Sequence, residues 1–154
     1  MRIHLVGELG QRAATLDLEF VGIGDYLVTG LVRLCAAQFQ LDVSWPCIYS
    51  SDDIAACVEQ LRRLHQSLSG TAVLPTTNFH SDSVGELVFS VVDATRGRLT
   101  VEFRQNAAVS LEGLGEELKL DTQLHFADFQ IEQSSLPAII NGLHDLLRSL
   151  PSTE

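Results

Sequence analysis

The chain has 154 residues, 45% of them hydrophobic, and sets ten Lys or Arg against twenty Asp or Glu for a formal charge of −10. That length suits a single domain over residues 1–154, able to bury roughly 70% of the surface its unfolded chain exposes. The charge argues against nucleic acid as a partner, because such a surface repels phosphate backbones, and no apolar run approaches the ~20 residues a membrane span needs. A mean hydropathy of +0.16 therefore reflects a full core. The acidic balance would speed encounter with a basic protein partner, although net charge also serves solubility alone.

Arg2 to Glu8 reads as a short first strand. In the second, Leu16, Leu18 and Phe20 alternate with Asp17 and Glu19, the period-two pattern of a strand with one wet face. Gly22 to Asp25 supplies turn chemistry. Tyr26 to Cys35 is an apolar strand with little alternation. Phe39, Leu41, Val43 and Trp45 alternate with Gln40, Asp42 and Ser44, and Pro46 ends that strand.

Ser50-Ser51-Asp52-Asp53 offers side-chain oxygens to the free N–H groups of a first helical turn, with acids at the positive end of the dipole. Ile54, Val58, Leu61, Leu64 and Leu68 follow at helical spacing, and Gly70 suits the helix end. The spacing predicts a helix over 52–69. Pro75 to Ser83 reads as a polar loop. Glu86 to Asp93 and Leu99 to Gln105 form a predicted hairpin, with Leu87, Phe89 and Val91 facing Leu99, Val101 and Phe103. Asn106 to Gly115 reads as a loop. Glu117 to Glu132 reads as a long strand whose apolar parity flips after Phe126, which a β-bulge near Ala127-Asp128 would explain. A closing helix carries Leu136, Ile139, Ile140, Leu143, Leu147 and Leu150 on one stripe, with Pro137 in its first turn.

Strands in runs, with one helix in the middle and one at the end, predict an α+β fold. The expected architecture is a mostly antiparallel sheet of about six strands with two helices packed on one face. The other sheet face would present Asp17, Glu19, Asp42, Glu102, Asp121 and His125 among other polar residues. These six are the candidate partner-binding residues, with the acidic segment Glu112 to Glu117 as a second contact region.

Motifs for chemistry are missing from this pattern. Gly22-x-Gly24 leads into a strand, whereas a phosphate site needs a helix N-terminus. Cys35, Cys47 and Cys57 match no zinc spacing and read as free thiols of a reducing compartment, which makes the cytoplasm the expected location. His4, His65, His80, His125 and His144 form no ligand pair. Asp121, His125 and Asp128 could gather on one strand face, but three exposed ligands suit ordinary polarity better than a metal site. His80-Ser81-Asp82 has triad-type residues in a row, and triads are assembled in space, not in sequence. No catalytic residue, metal or cofactor is expected.

Two stretches resemble the WapI-type immunity protein family. Trp45 to Leu74, WPCIYSSDDIAACVEQLRRLHQSLSGTAVL, places a strand, a Ser/Asp cap, a Leu-rich helix and an L-x-G-x-A ending in succession. Phe129 to Leu150, FQIEQSSLPAIINGLHDLLRSL, is similar to that family's closing strand, polar turn, Leu-Pro and C-terminal helix. The resemblance implies a small non-enzymatic protein that neutralises a cognate toxin by direct binding, and the acidic balance suits a basic toxin. Two other readings stand beside it. One is a small-ligand protein or enzyme whose site gathers His80, His125, Asp121 and Asp128. The other is a domain that homodimerises through a sheet edge or helix.

Overall fold

The computed structural model describes residues 1–80, 82–113 and 116–151, and between 107 and 124 the backbone alone. Eight strands form one sheet: β1 (Arg2–Leu9), β2 (Arg12–Ile23), β3 (Leu27–Ala36), β4 (Leu41–Ser50), β5 (Thr71–Thr77), β6 (Ser83–Asp93), β7 (Arg98–Gly113) and β8 (Glu116–Glu132). The described residues also form two α-helices, α1 (Ser51–Ser67) and α2 (Leu136–Ser149). The strand order is β4-β3-β2-β1-β8-β7-β6-β5, and every neighbouring pair is antiparallel.

The expectation of about six strands is corrected to eight. Thr71–Thr77 is a strand although Pro75 and the threonines read as loop. Pro75 is tolerated because β5 is an edge strand, where a missing N–H breaks no ladder. Gln60 of α1 covers part of the same edge by accepting from the Val73 N–H at 2.7 Å. The region from Asn106 onward, read as a loop, continues β7 to Gly113, and its register runs from Asn106 opposite Gln123 to Gly113 opposite Glu116. Phe39, expected to face inward on a strand, sits in a 3-10 turn over Ala37–Phe39. It is half exposed beneath the Arg12 guanidinium, and Gln40 follows in a left-handed conformation (φ 51°).

Other expectations hold in detail. Leu87, Phe89 and Val91 lie opposite Phe103, Val101 and Leu99. The bulge in β8 is present: Val101 pairs with Phe129 and Phe103 with Phe126, so β8 carries one extra residue there, and Asp128 takes a φ of 63°. That extra residue lets Phe126 and Phe129 both point into the core. Ser50 caps α1 by accepting from the Asp53 N–H at 3.1 Å.

The buried stripes of α1 (Ile54, Cys57, Val58, Leu61, Leu64) and α2 (Leu136, Ile139, Ile140, Leu143, Leu146) join one core with the inward residues of the strands. The helices pack on each other, α1 also against β5 and α2 against β1. Gly142 makes the second approach possible, since a Cβ there would lie 2.7 Å from the Ile3 side chain. The sheet curls around this core. Trp45 on β4, an edge strand, stacks at 5.5 Å on Phe103 of β7 and at 5.8 Å on Phe126 of β8. Gln105 of β7 donates to the Pro46 carbonyl of β4 at 2.9 Å. The sheet thus nearly closes on itself, with its two edge strands approaching but not pairing.

Its two halves are joined at a narrow seam, where Glu8 and Leu9 of β1 meet Gln130 and Phe129 of β8. Gly7 permits this crossing, because a Cβ at that position would stand 2.2 Å from the Gln130 carbonyl oxygen.

Candidate partner-binding surface

The outward face of β1–β4 carries a row of charges set by register. Arg2 lies opposite Glu19, His4 opposite Asp17, and Asp17 opposite Arg33. Period-two alternation brings these side chains out on one side while Leu16, Leu18 and Phe20 go inward. Asp17 is nevertheless only 2% exposed. Arg2 Nη2 and His4 Nδ1, each about half exposed, cover its two carboxylate oxygens at 2.5 Å apiece. Burial pushes the Asp17 carboxyl up, but the hydrogen bonds and charges of Arg2 and His4 outweigh it and hold the group below the ordinary carboxylate range. Arg2 also reaches Glu19 at 3.8 Å. Beside this cluster, Arg33 grips Asp42 through both guanidinium arms, Nε at 2.9 Å and Nη2 at 2.7 Å. That bidentate hydrogen bonding lowers the Asp42 carboxyl and raises the Arg33 guanidinium.

A second cluster occupies the outward face of β6–β8. Glu102 accepts from His125 Nε2 at 3.0 Å when that nitrogen carries the imidazole hydrogen, and lies 3.9 Å from Arg104 Nε. Arg104 in turn pairs with Glu86.

Of the six candidate residues, the structure brings Asp17, Glu19 and Asp42 to one patch and Glu102 and His125 to another. Counting register outward from the β1–β8 contact, His4 and His125 are about eight residues apart along the strands, or roughly 25 Å. Asp121 stands at a register position opposite Ala108 on the β7–β8 hairpin, and its side chain lies outside the described residues, as does Ser81 of the loop tripeptide. Sequence reasoning missed Arg2, His4 and Arg33, which pair with the acids singled out. The signal was present: each has the strand parity of the acids it meets, but the pairing needs the register between strands.

Among the described residues no group of three His, Cys, Asp or Glu side chains is placed to hold a metal ion, and no helix is long and apolar enough to cross a membrane. A groove of about 570 Å³ opens where β4 approaches the β5–β6 connection. Thr29, Pro46, Ile48, Phe79, Val84 and Gln105 contribute to its walls, and His80, His125 and Asp128 do not.

Fold and surface together define a class: a compact α+β protein with a curled antiparallel sheet and a charge-patterned outer face. The chain belongs to the immunity protein WapI-like family, whose family model matches residues 9–151. No curated protein and no solved structure gives a significant match.

Proposed function

We propose that this chain is a non-catalytic cytoplasmic protein that neutralises a basic toxin domain by direct binding. The observation that carries the reading is family membership across nearly the whole chain. The charge of −10 supports a basic partner, since opposite net charges accelerate encounter and suppress wrong partners.

The proposed contact surface is the outward face of β1–β4, with Asp17, Glu19 and Asp42 at its centre. Glu102, His125 and the β7–β8 hairpin bearing Asp121 form a second contact region. Because Asp17 and Asp42 are already paired with Arg2, His4 and Arg33, this face offers a fixed pattern of alternating charge more than a bare negative field. Such a pattern suits selection among related toxins, with long-range attraction supplied by the acidic excess of the whole molecule.

The test is neutralisation in cells. Co-expression with a cognate toxin domain should restore growth, and Glu19→Lys together with Asp42→Lys should abolish rescue while leaving the chain folded. Undiminished rescue by the double variant would move the contact surface elsewhere, and no rescue by the native chain would remove the toxin-binding reading.

A further inference from the structure

The groove between the two edge strands has a composition unlike the rest of the surface. Pro46 and Ile48 of β4, Val84 of β6 and the 76% exposed ring of Phe79 give it apolar walls. Among the described residues no carboxylate, imidazole or cationic side chain lines it, and the one ionisable group is the Cys47 thiol, pushed up to about 11 by burial and so neutral. A volume of about 570 Å³ lies within the roughly 300–1,000 Å³ of small-molecule sites.

Two polar features mark its inner end. The register of β5 against β6 shifts between Thr76 and Thr77, which turns both threonines inward where alternation would send one out. Thr77 lines the groove, is 7% exposed, and its hydroxyl has no hydrogen-bond partner among the described residues. A buried unpaired hydroxyl keeps its desolvation cost unless something satisfies it. Gln105, also in the groove wall, commits one amide hydrogen to the Pro46 carbonyl and its oxygen to the Cys47 thiol at 3.3 Å, and among the described residues its second amide hydrogen has no acceptor.

We propose that this groove binds a small, uncharged, mainly apolar molecule bearing one hydrogen-bonding group, such as a ring system with a carbonyl or hydroxyl. A charged ligand would lose its hydration with no ionic partner in the wall. An added peptide strand is disfavoured, because Pro46 has no N–H to offer in the middle of β4 and its carbonyl is already taken by Gln105.

The probe is Nile red, an uncharged aromatic dye with a carbonyl. It should bind the native chain saturably at one site, with blue-shifted emission. Val84→Asp should weaken binding at least about tenfold by placing a charge in the apolar wall, whereas Val92→Asp, at an exposed position outside the groove, should leave it unchanged. Methyl resonances of the native chain give a reading that needs no variant: dye-induced shifts should centre on Ile48 and Val84. Absence of saturable binding, equal weakening by both variants, or shifts centred away from these two residues would overturn the proposal.

Discussion

Replacing Asp17 by Asn keeps the side-chain volume and removes the charge that Arg2 and His4 share. The native carboxylate is buried on the outward sheet face and accepts from both groups at 2.5 Å. Charge-assisted hydrogen bonds are worth about 1.5–3 kcal/mol each when fully desolvated. Both donors here are about half exposed and recover hydration when the partner goes, so the lower end applies to each, and the variant should lose about 2–3 kcal/mol at pH 7. The folded-state carboxyl lies below its ordinary value, so this contribution is complete above the unfolded pKa near 3.9 and is lost as pH falls through the lower folded-state value. Urea titrations of both proteins between pH 7 and pH 2 measure it. The gap between their unfolding free energies should stay constant down to about pH 4 and shrink below. A gap of the same size at pH 2 and pH 7 would refute the ion-pair account and assign the loss to packing.

Further expectations follow from the core and its seams. Gly7→Ala should destabilise by about 1–3 kcal/mol or more, because the new Cβ meets the Gln130 carbonyl oxygen where the two halves of the sheet join; thermal melts check it, and an unchanged midpoint would contradict the crossing geometry. Phe103→Ala should cost about 3–5 kcal/mol in chemical denaturation, since the ring is fully buried between Trp45 and Phe126. Ser50→Ala should cost about 1 kcal/mol through loss of the cap on the Asp53 N–H. Iodoacetamide at pH 8 should label the folded chain once, at half-buried Cys35, because burial pushes the Cys47 and Cys57 thiols up to about 11 and about 12; mass spectrometry after digestion identifies the site.

Local chemistry makes much of this fold legible in the sequence. The Ser50 cap, the helical spacing from Ile54 to Leu64 and the facing sets Leu87/Phe103 and Phe89/Val101 are properties of short stretches, and they stand as read. The bulge at Asp128 was visible as a parity flip. What escaped was non-local. Pro75 reads as a breaker unless one knows that β5 is an edge strand, and edge position depends on the order of all eight strands. The same holds for the surface. Asp17 and Asp42 read as free acids, and only the registers of β1, β2 and β3 reveal Arg2, His4 and Arg33 beside them. The groove lay beyond reach for the same reason, since its walls come from β3, β4, β5, β6 and β7.

The central claim is neutralisation by direct binding, and titration of a purified cognate toxin domain with the purified chain tests it most directly. Residual toxin activity should fall linearly and reach zero at a 1:1 ratio, with affinity weakening as salt is raised. Activity that disappears at a small fraction of equimolar protein would show turnover and contradict a non-catalytic inhibitor. Activity that persists at excess would contradict binding altogether.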